Sequence, residues 1–259
     1  MTFGTALREH RTARRLSQLA LASSAEVSQR HLSFLETGRA KPSREMVIHL
    51  GIAMGLGLRE QNELLLEAGF APAYPETGLD EPAMDEVRHV LELLLGAHDP
   101  FPAFVIDRQW NAVMMNGSGT LLASLLGIAE GDTPNLLRVA MHPDGMRRFC
   151  ANWDEVAVVL VQRLHREVLS RPGDDALREV YDEVMAYPGL PSPNDGLLPS
   201  GNDLLIPIHY RFGDVDVRLI TTITTLGAAY DVTLEELRLE VSYPADAESE
   251  AVLRGLGGA

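Results

Sequence analysis

Long apolar runs are missing from this chain. No stretch of roughly 18 uncharged apolar residues occurs, so no transmembrane helix is expected. Cysteine is nearly absent, and the single Cys150 excludes an internal disulfide framework. The basic stretch Met1–Arg15 has neither the apolar segment nor the small-residue cleavage site of a secretory signal. Together these absences point to a reducing cytoplasm and no membrane partner. Enzyme signatures are lacking too. There is no glycine-rich phosphate loop, no serine in a nucleophile elbow and no His/Cys cluster at metal-ligand spacing, and the eight histidines are dispersed. Neither catalysis nor a resident metal or cofactor is expected.

Positive charge is also scarce overall: 37 acidic against 22 basic residues give a net charge of −15. Alone, that argues against a polyanionic partner. The charge is uneven, however. Residues 1–44 carry eight basic groups (Arg8, Arg11, Arg14, Arg15, Arg30, Arg39, Lys41, Arg44) and three acids (Glu9, Glu26, Glu36), a balance of +5. Residues 75–259 carry 13 basic and 30 acidic residues, a balance of −17. A small basic head on a large acidic body is what a separate DNA-binding module produces. With 46% hydrophobic residues there is material for two buried cores.

The organisation follows from patterning. APAYPETGLDEP (71–82) breaks the helical pattern, and the linker is placed at 73–82. Residues 1–72 read as five short helices. They start at Phe3, at Ser17 as N-cap, near Val27, at Pro42-Ser43, and at Arg59; Gly38 and Gly69 stop the third and fifth. Residues 83–250 are expected to form an α+β domain with a five-stranded antiparallel sheet. Its strands are placed at Ala103–Ile106, Trp110–Met114, Leu204–Phe212, Val215–Leu226 and Leu234–Tyr243. A long helix is placed at Gly145–Ser170 and a further one at Asp175–Ala186. Gly189–Gly201 reads as a loop and Pro244–Ala259 as a short helix with a frayed end.

The strongest local pattern is LSQLALASSAEVSQRHLSFLETGRAKP (16–42). A helix that enters the major groove exposes short polar side chains and is held by a preceding helix. Gln18 opens the supporting helix and can donate to a phosphate. Ala20 and Leu21 lie where the two helices must approach. Ser28, Gln29, Arg30 and Ser33 form the outer face of the second helix, with Leu32 and Leu35 inward. Gln pairs with adenine and Arg with guanine; Arg39 and Lys41 are placed for backbone phosphate. These residues, with Leu7-Arg8…Arg11 and the apolar fourth helix, resemble the Cro/C1-type (XRE family) helix-turn-helix over about 65 residues. The family usually has glycine, for a positive φ, in the turn position held here by Glu26. The resemblance implies a transcription regulator that binds a double-stranded DNA operator, and a homodimer is expected.

The second domain carries PFPAFVIDRQWNAVMMN, NLLRVAMHPDGMRRFCANWDEV and IPIHYRFGDVDVRLITTITTLGAAYDVTLEELRLEVSYPAD. It resembles the MmyB-like ligand-binding domain over roughly 85–250. What the resemblance implies is a PAS-like cavity for a small apolar, fatty-acid-like ligand, and so a one-component sensor. The alternative is a domain that only dimerises or docks a protein. Candidate lining residues are Met114, Phe149 and Trp153. Arg147, Arg148 and His209 are candidates to hold a ligand carboxylate. The alternating Ile206, Ile208, Tyr210 and Phe212 are expected to face one side.

Overall fold

The computed structural model describes residues 2–128, 131–171, 173–195 and 205–257. Its first helices are α1 (Phe3–Ala13), α2 (Gln18–Ser24), α3 (Gln29–Glu36), α4 (Arg44–Ala53), α5 (Leu58–Glu67) and α6 (Asp85–Ala97). Then come β1 (Ala103–Ile106), β2 (Ala112–Met115), α7 (Gly117–Leu125), α8 (Leu136–Met141), α9 (Trp153–Ser170) and α10 (Asp175–Met185). The chain ends with β3 (Ile208–Phe212), β4 (Val215–Thr225), α11 (Val232–Glu236), β5 (Arg238–Pro244) and α12 (Ala247–Gly257). Residues 196–201 of the expected loop, Leu204 at the expected strand start, and 258–259 of the expected frayed end lie outside the described residues. Two compact units result. One is the chain up to Leu79 together with Leu226–Glu235; the other is Asp80–Thr225 with the chain from Glu236 on.

In the helical unit, hydroxyl caps set the helix starts. Thr2, Ser17, Ser28 and Ser43 accept from the backbone N–H of Thr5, Ala20, His31 and Met46. Each cap satisfies a donor the helix leaves unpaired and contributes about 1 kcal/mol. Phe3, Leu7, Leu21, Leu32, Leu35, Leu50, Leu64 and Leu65 form one core. Gly4 lets α1 reach the end of α3, since a Cβ there would lie 2.5 Å from the Glu36 carbonyl oxygen. Between α2 and α3, Glu26 adopts φ 50°, the left-handed turn anticipated at that position.

Leu226–Glu235 corrects the sequence reading, which put Leu234 in a strand. Asp231 Oδ1 accepts from the N–H of Thr233 and Leu234, starting α11 instead. Its other oxygen accepts from Thr77 Oγ1 at 2.7 Å and Thr77 N at 3.1 Å. Glu235 Oε2 accepts from the N–H of Leu58, the first residue of α5, at 2.6 Å. A segment between two strands in sequence thus completes the helical unit.

In the second unit the sheet order is β2-β1-β5-β4-β3, antiparallel throughout. Alternation and register place Phe104, Ile106, Met115, Ile208, Tyr210, Phe212, Ile223 and Glu240 on one face. Phe104, Ile106 and Ile223 of that face pack with Met141 of α8, Val161 and Leu164 of α9, and Val180 and Val184 of α10. This is the inner face. The expected helix Gly145–Ser170 is broken: a single 3-10 turn covers Met146–Phe149 and α9 begins only at Trp153. The interval is spent on the sheet edge. Ala151 N donates to the His209 carbonyl, His209 N donates to Asn152 Oδ1, and Cys150 bridges to Tyr210. Backbone groups used this way cannot continue a helix.

One carboxylate makes the helical unit sensitive to acid. Glu60 of α5 accepts from Arg14 Nη2 at 2.7 and 2.9 Å and from Gly57 N, with His10 Nδ1 at 3.5 Å. Burial pushes its pKa up, yet His10, Arg14 and the Gly57 amide outweigh that and hold it at about 2. Because the folded value lies below the ordinary 4.5, the stabilisation is present above pH 4.5 and is lost as pH falls toward 2. Glu60→Gln should therefore lower stability by up to about 3 kcal/mol at pH 7. Urea unfolding at pH 7 and pH 3 checks it: the gap between variant and parent must narrow at the lower pH.

Candidate functional site

The first site is the exposed face of the α2–α3 pair. Its geometry rests on a buried ion pair that the sequence reading did not single out. Arg11 of α1 donates from Nε and Nη2 to both Glu36 oxygens at 2.6 and 3.0 Å, and from Nη1 to the Leu16 carbonyl at 2.7 Å. The Arg11 and Glu36 side chains are 10% and 3% exposed, so the pair lies out of solvent. Burial alone would raise the Glu36 carboxyl; Arg11 and Gln18 reverse that and hold it lowered. The only cue in the sequence was an acid at the end of a helix otherwise surrounded by basic residues.

Around this clamp the candidate contact residues fall into place. Gln29 and Arg30 are exposed on the first turn of α3, and Arg30 stacks over Phe34 at 5.3 Å. Ser28 is exposed, and its hydroxyl already accepts from His31 N as the helix cap. Ser33 is half-buried. Arg39 and Lys41 are exposed just past the turn at Gly38, whose φ is 71°. Two placements differ from the sequence reading. Gln18 Nε2 donates to Glu36 Oε2 at 2.8 Å, so part of its donor capacity serves the clamp. Ala20 is exposed; Leu21 and Ala22 make the close helix contact, because the inward face of α2 is shifted by one residue.

The second site lies in the other unit, at the inner face of the sheet. Glu240 sits on β5, next to β1 on one side and β4 on the other, opposite Phe104 and Ile223. Tyr210 of β3 is on the same face. Both are half-buried. Burial raises the Glu240 carboxyl to about 7; Arg163 and Arg238 pull it down and Glu167 pushes it up. Burial likewise raises the Tyr210 hydroxyl, helped by Cys150 and Glu240. Trp153 packs against the apolar layer of Phe104, Val161 and Ile223, with its Nε1 buried without a partner, whereas Tyr210 packs against Val217, Leu219 and Leu253 of α12. The sequence reading passed over Glu240; the register that sets it opposite Phe104 and Ile223 was the missing information.

The proposed carboxylate cradle is not assembled. Arg147 donates to the Pro188 carbonyl at 2.6 Å and lies over Trp153 at 5.1 Å. Arg148 is exposed and covers Phe149 at 4.6 Å. His209 alternates away from Tyr210 to the opposite face, where it pairs with Asp216 at 2.6 Å. Met114 is also on that opposite face, with Val105. The register slips between Val105 and Ile106, and Met115 is the methionine turned inward. Phe149 packs on Phe212 at 4.5 Å and Trp153 opens α9, so these two do border the inner layer. Among the described residues no cluster of three or more metal-ligating side chains occurs, and no helix is long and apolar enough to cross a membrane.

The model of a helix-turn-helix domain matches residues 2–64, and the model of the MmyB-like transcription regulator ligand binding domain matches residues 87–256. No curated protein matches the chain.

The position of Glu240 has a measurable cost. Its folded pKa of about 7 lies above 4.5, so the folded state holds the proton more tightly, and stability is full below pH 4.5 and lost as pH rises through 7. Glu240→Gln removes that loss. It should stabilise the chain by on the order of 2 kcal/mol at pH 8 and change little at pH 5. Thermal melts at the two pH values decide it.

Proposed function

We propose, on the premise that the chain belongs to the MmyB-like transcription regulators, that it is a one-component sensor whose C-terminal domain binds a small, largely apolar ligand and so adjusts the grip of the N-terminal domain on DNA. A DNA-binding transcription regulator with a ligand-binding domain is the frame; the ligand, the contacts and the assembly are the proposal.

The observation that carries the DNA reading is the exposed Gln29–Arg30 pair at the start of a helix whose attitude Arg11 and Glu36 lock. In this reading Gln29, Arg30 and Ser33 address base edges, while Ser28, Gln18, Arg39 and Lys41 address phosphates. Arg30→Ala and Gln29→Ala should relax base preference, each by about 1–3 kcal/mol of discrimination. Arg39→Ala and Lys41→Ala should weaken binding to all sequences and reduce the salt slope by about one each. Footprinting and salt titration of the full chain separate the two groups; identical effects on specific and unspecific DNA for all four would refute the assignment.

A homodimer on a two-fold symmetric operator completes the reading, since one recognition helix reads only a few base pairs. Val90, Leu93 and Leu94 of α6 are 48%, 60% and 37% exposed, and Leu121 and Leu125 of α7 are 41% and 61% exposed. Such apolar side chains on neighbouring elements of one domain favour self-association. Sedimentation should give a dimer at micromolar concentration, and Leu93→Asp should shift it toward monomer without unfolding the domain.

The ligand reading rests on the match of residues 87–256 to the MmyB-like ligand binding domain. Titration of operator affinity with apolar amphiphiles tests it. The fatty acid expected from the resemblance is the first probe, although Arg147, Arg148 and His209 do not converge to receive its carboxylate.

A further inference from the structure

We propose that Asp231 and Glu235 are positioning residues of the DNA-binding domain: they supply the cap that α5 lacks and, through α5, hold α1 and α3 in the attitude that reads DNA. The match to the ligand binding domain, at 87–256, takes in both residues, while the helix-turn-helix match ends at 64. The inference rests on the DNA-binding reading above and adds to that domain a part from outside the stretch matched to it.

Helices α1 to α4 each begin at a hydroxyl of their own, from Thr2, Ser17, Ser28 and Ser43. Helix α5 begins at Gly57, which has no side chain to offer. Its own Glu60 reaches back to Gly57 N at 3.0 Å. The next amide, Leu58 N, donates at 2.6 Å to Glu235 Oε2, from 177 positions along the chain. The glycine makes the room, since a Cβ on Gly57 would lie 3.1 Å from that same oxygen. A carboxylate at this end of a helix takes an orphan amide and meets the positive end of the dipole. Asp231 anchors the segment a second time. It is buried, starts α11 with one oxygen and holds Thr77 with the other. Val232, also buried, donates from N to the Pro75 carbonyl at 2.9 Å. The stretch that receives these bonds is itself tied to α5, where Asn62 bonds Ala73 N, Tyr74 N and the Tyr74 carbonyl. From α5 the route onward is short. Glu60 holds Arg14 of α1, and Arg11 on the preceding turn clamps Glu36 at the end of α3. Release of the segment frees the first turn of α5, and with it the carboxylate that positions α1.

The test uses the full chain and a DNA duplex recovered with it by selection from a random-sequence library. Fluorescence anisotropy reads affinity, and mass spectrometry reads amide exchange with and without the duplex. Removing an acid from a protein that binds a polyanion should tighten binding by charge alone, so a loss is diagnostic of positioning. Glu235→Ala should weaken binding by about tenfold. Glu235→Gln loses the charge but keeps an oxygen for Leu58 N, and should bind more tightly than the alanine variant. Thr77→Val, which leaves both acids in place, should also weaken binding. Combined with Glu235→Ala it should cost less than the product of the two losses, because both release one segment. The duplex must also slow exchange across 57–62 and 226–235 in the parent, since a contact that favours the DNA-bound attitude is strengthened by DNA in return. A segment that only adds stability would shift the melting temperature and show no such protection. Should Glu235→Ala misfold, Thr77→Val and the exchange of the parent decide. Undiminished affinity in the variants, or exchange at 226–235 that the duplex does not alter, overturns the inference and leaves the DNA reading standing. Recovery of no duplex overturns the DNA reading and this inference with it.

Discussion

The buried contact between Arg11 and Glu36 is the constraint on which the DNA-facing half of the molecule depends. Three helices meet in it. The guanidinium comes from α1, the carboxylate from the last turn of α3, and Gln18 from the first turn of α2 adds a third bond to the same carboxylate. The Leu16 carbonyl, in the connection between α1 and α2, takes the remaining donor. The apolar core alone would hold these helices together while leaving their mutual rotation soft. Directional, charge-assisted bonds fix it. Removing one partner leaves the other charged and out of solvent, which costs about 3–5 kcal/mol in comparable settings. The clamp is thus strict about its own residues, and the strictness is what presents Gln29 and Arg30 in a single attitude.

The second unit shows the opposite handling of a buried acid. Glu240, half-buried, accepts no hydrogen bond from a cation among the described residues, and Arg163 and Arg238 act on it only through space. One carboxyl falls below its ordinary range and the other rises to about 7. The contrast follows from geometry alone. An acid whose bonds are complete keeps its charge when buried, and an acid left without them holds its proton to higher pH. In the same domain Trp110, Glu167, Arg163 and Arg238 form a polar network in which Arg238 Nε stays buried without a partner, as do Asp174 Oδ2 and Trp153 Nε1.

Much of this was legible in the sequence where the cause is local. Ser17 and Ser43 announce helix starts because a hydroxyl at that position can accept from a free helix amide, and Ser28, read as a contact residue, caps α3 in the same way. The resemblance to the Cro/C1-type helix-turn-helix implied a positive φ at Glu26, and its φ of 50° agrees. The short connection between the strands placed at Leu204–Phe212 and Val215–Leu226 leaves room only for a tight turn, and β3 does pair with β4. What was not legible depends on partners far away in the chain. The apolar stripe from Phe149 through Val168 reads as one helix, but the edge of β3 claims the backbone of residues 150–152. Met114 and Met115 are indistinguishable by composition, and a one-residue slip in the β1–β2 register decides which faces inward. Arg147 and His209 looked free for a ligand only because Pro188 and Asp216 could not be seen beside them.

Leu226–Glu235 changes how a regulator of this kind can be wired. Had the helical unit ended at Leu79, a single peptide connection would join it to the sheet domain. With this segment counted in, the chain passes between the units three times, at 79–80, 225–226 and 235–236. The two later passages leave β4 after Thr225 and enter β5 before Arg238. Asp231 and Glu235 fasten the segment within the helical unit through Thr77 and the first amide of α5. Glu240 stands two residues into β5 from Arg238, and Ile223, its register partner, two residues before the end of β4. A ligand biases a conformational equilibrium only as far as it binds the alternative states unequally. For a ligand of the sheet domain to act on the helical unit, these two passages offer covalent routes, because the segment they bracket is fastened to Thr77 and to the Leu58 amide.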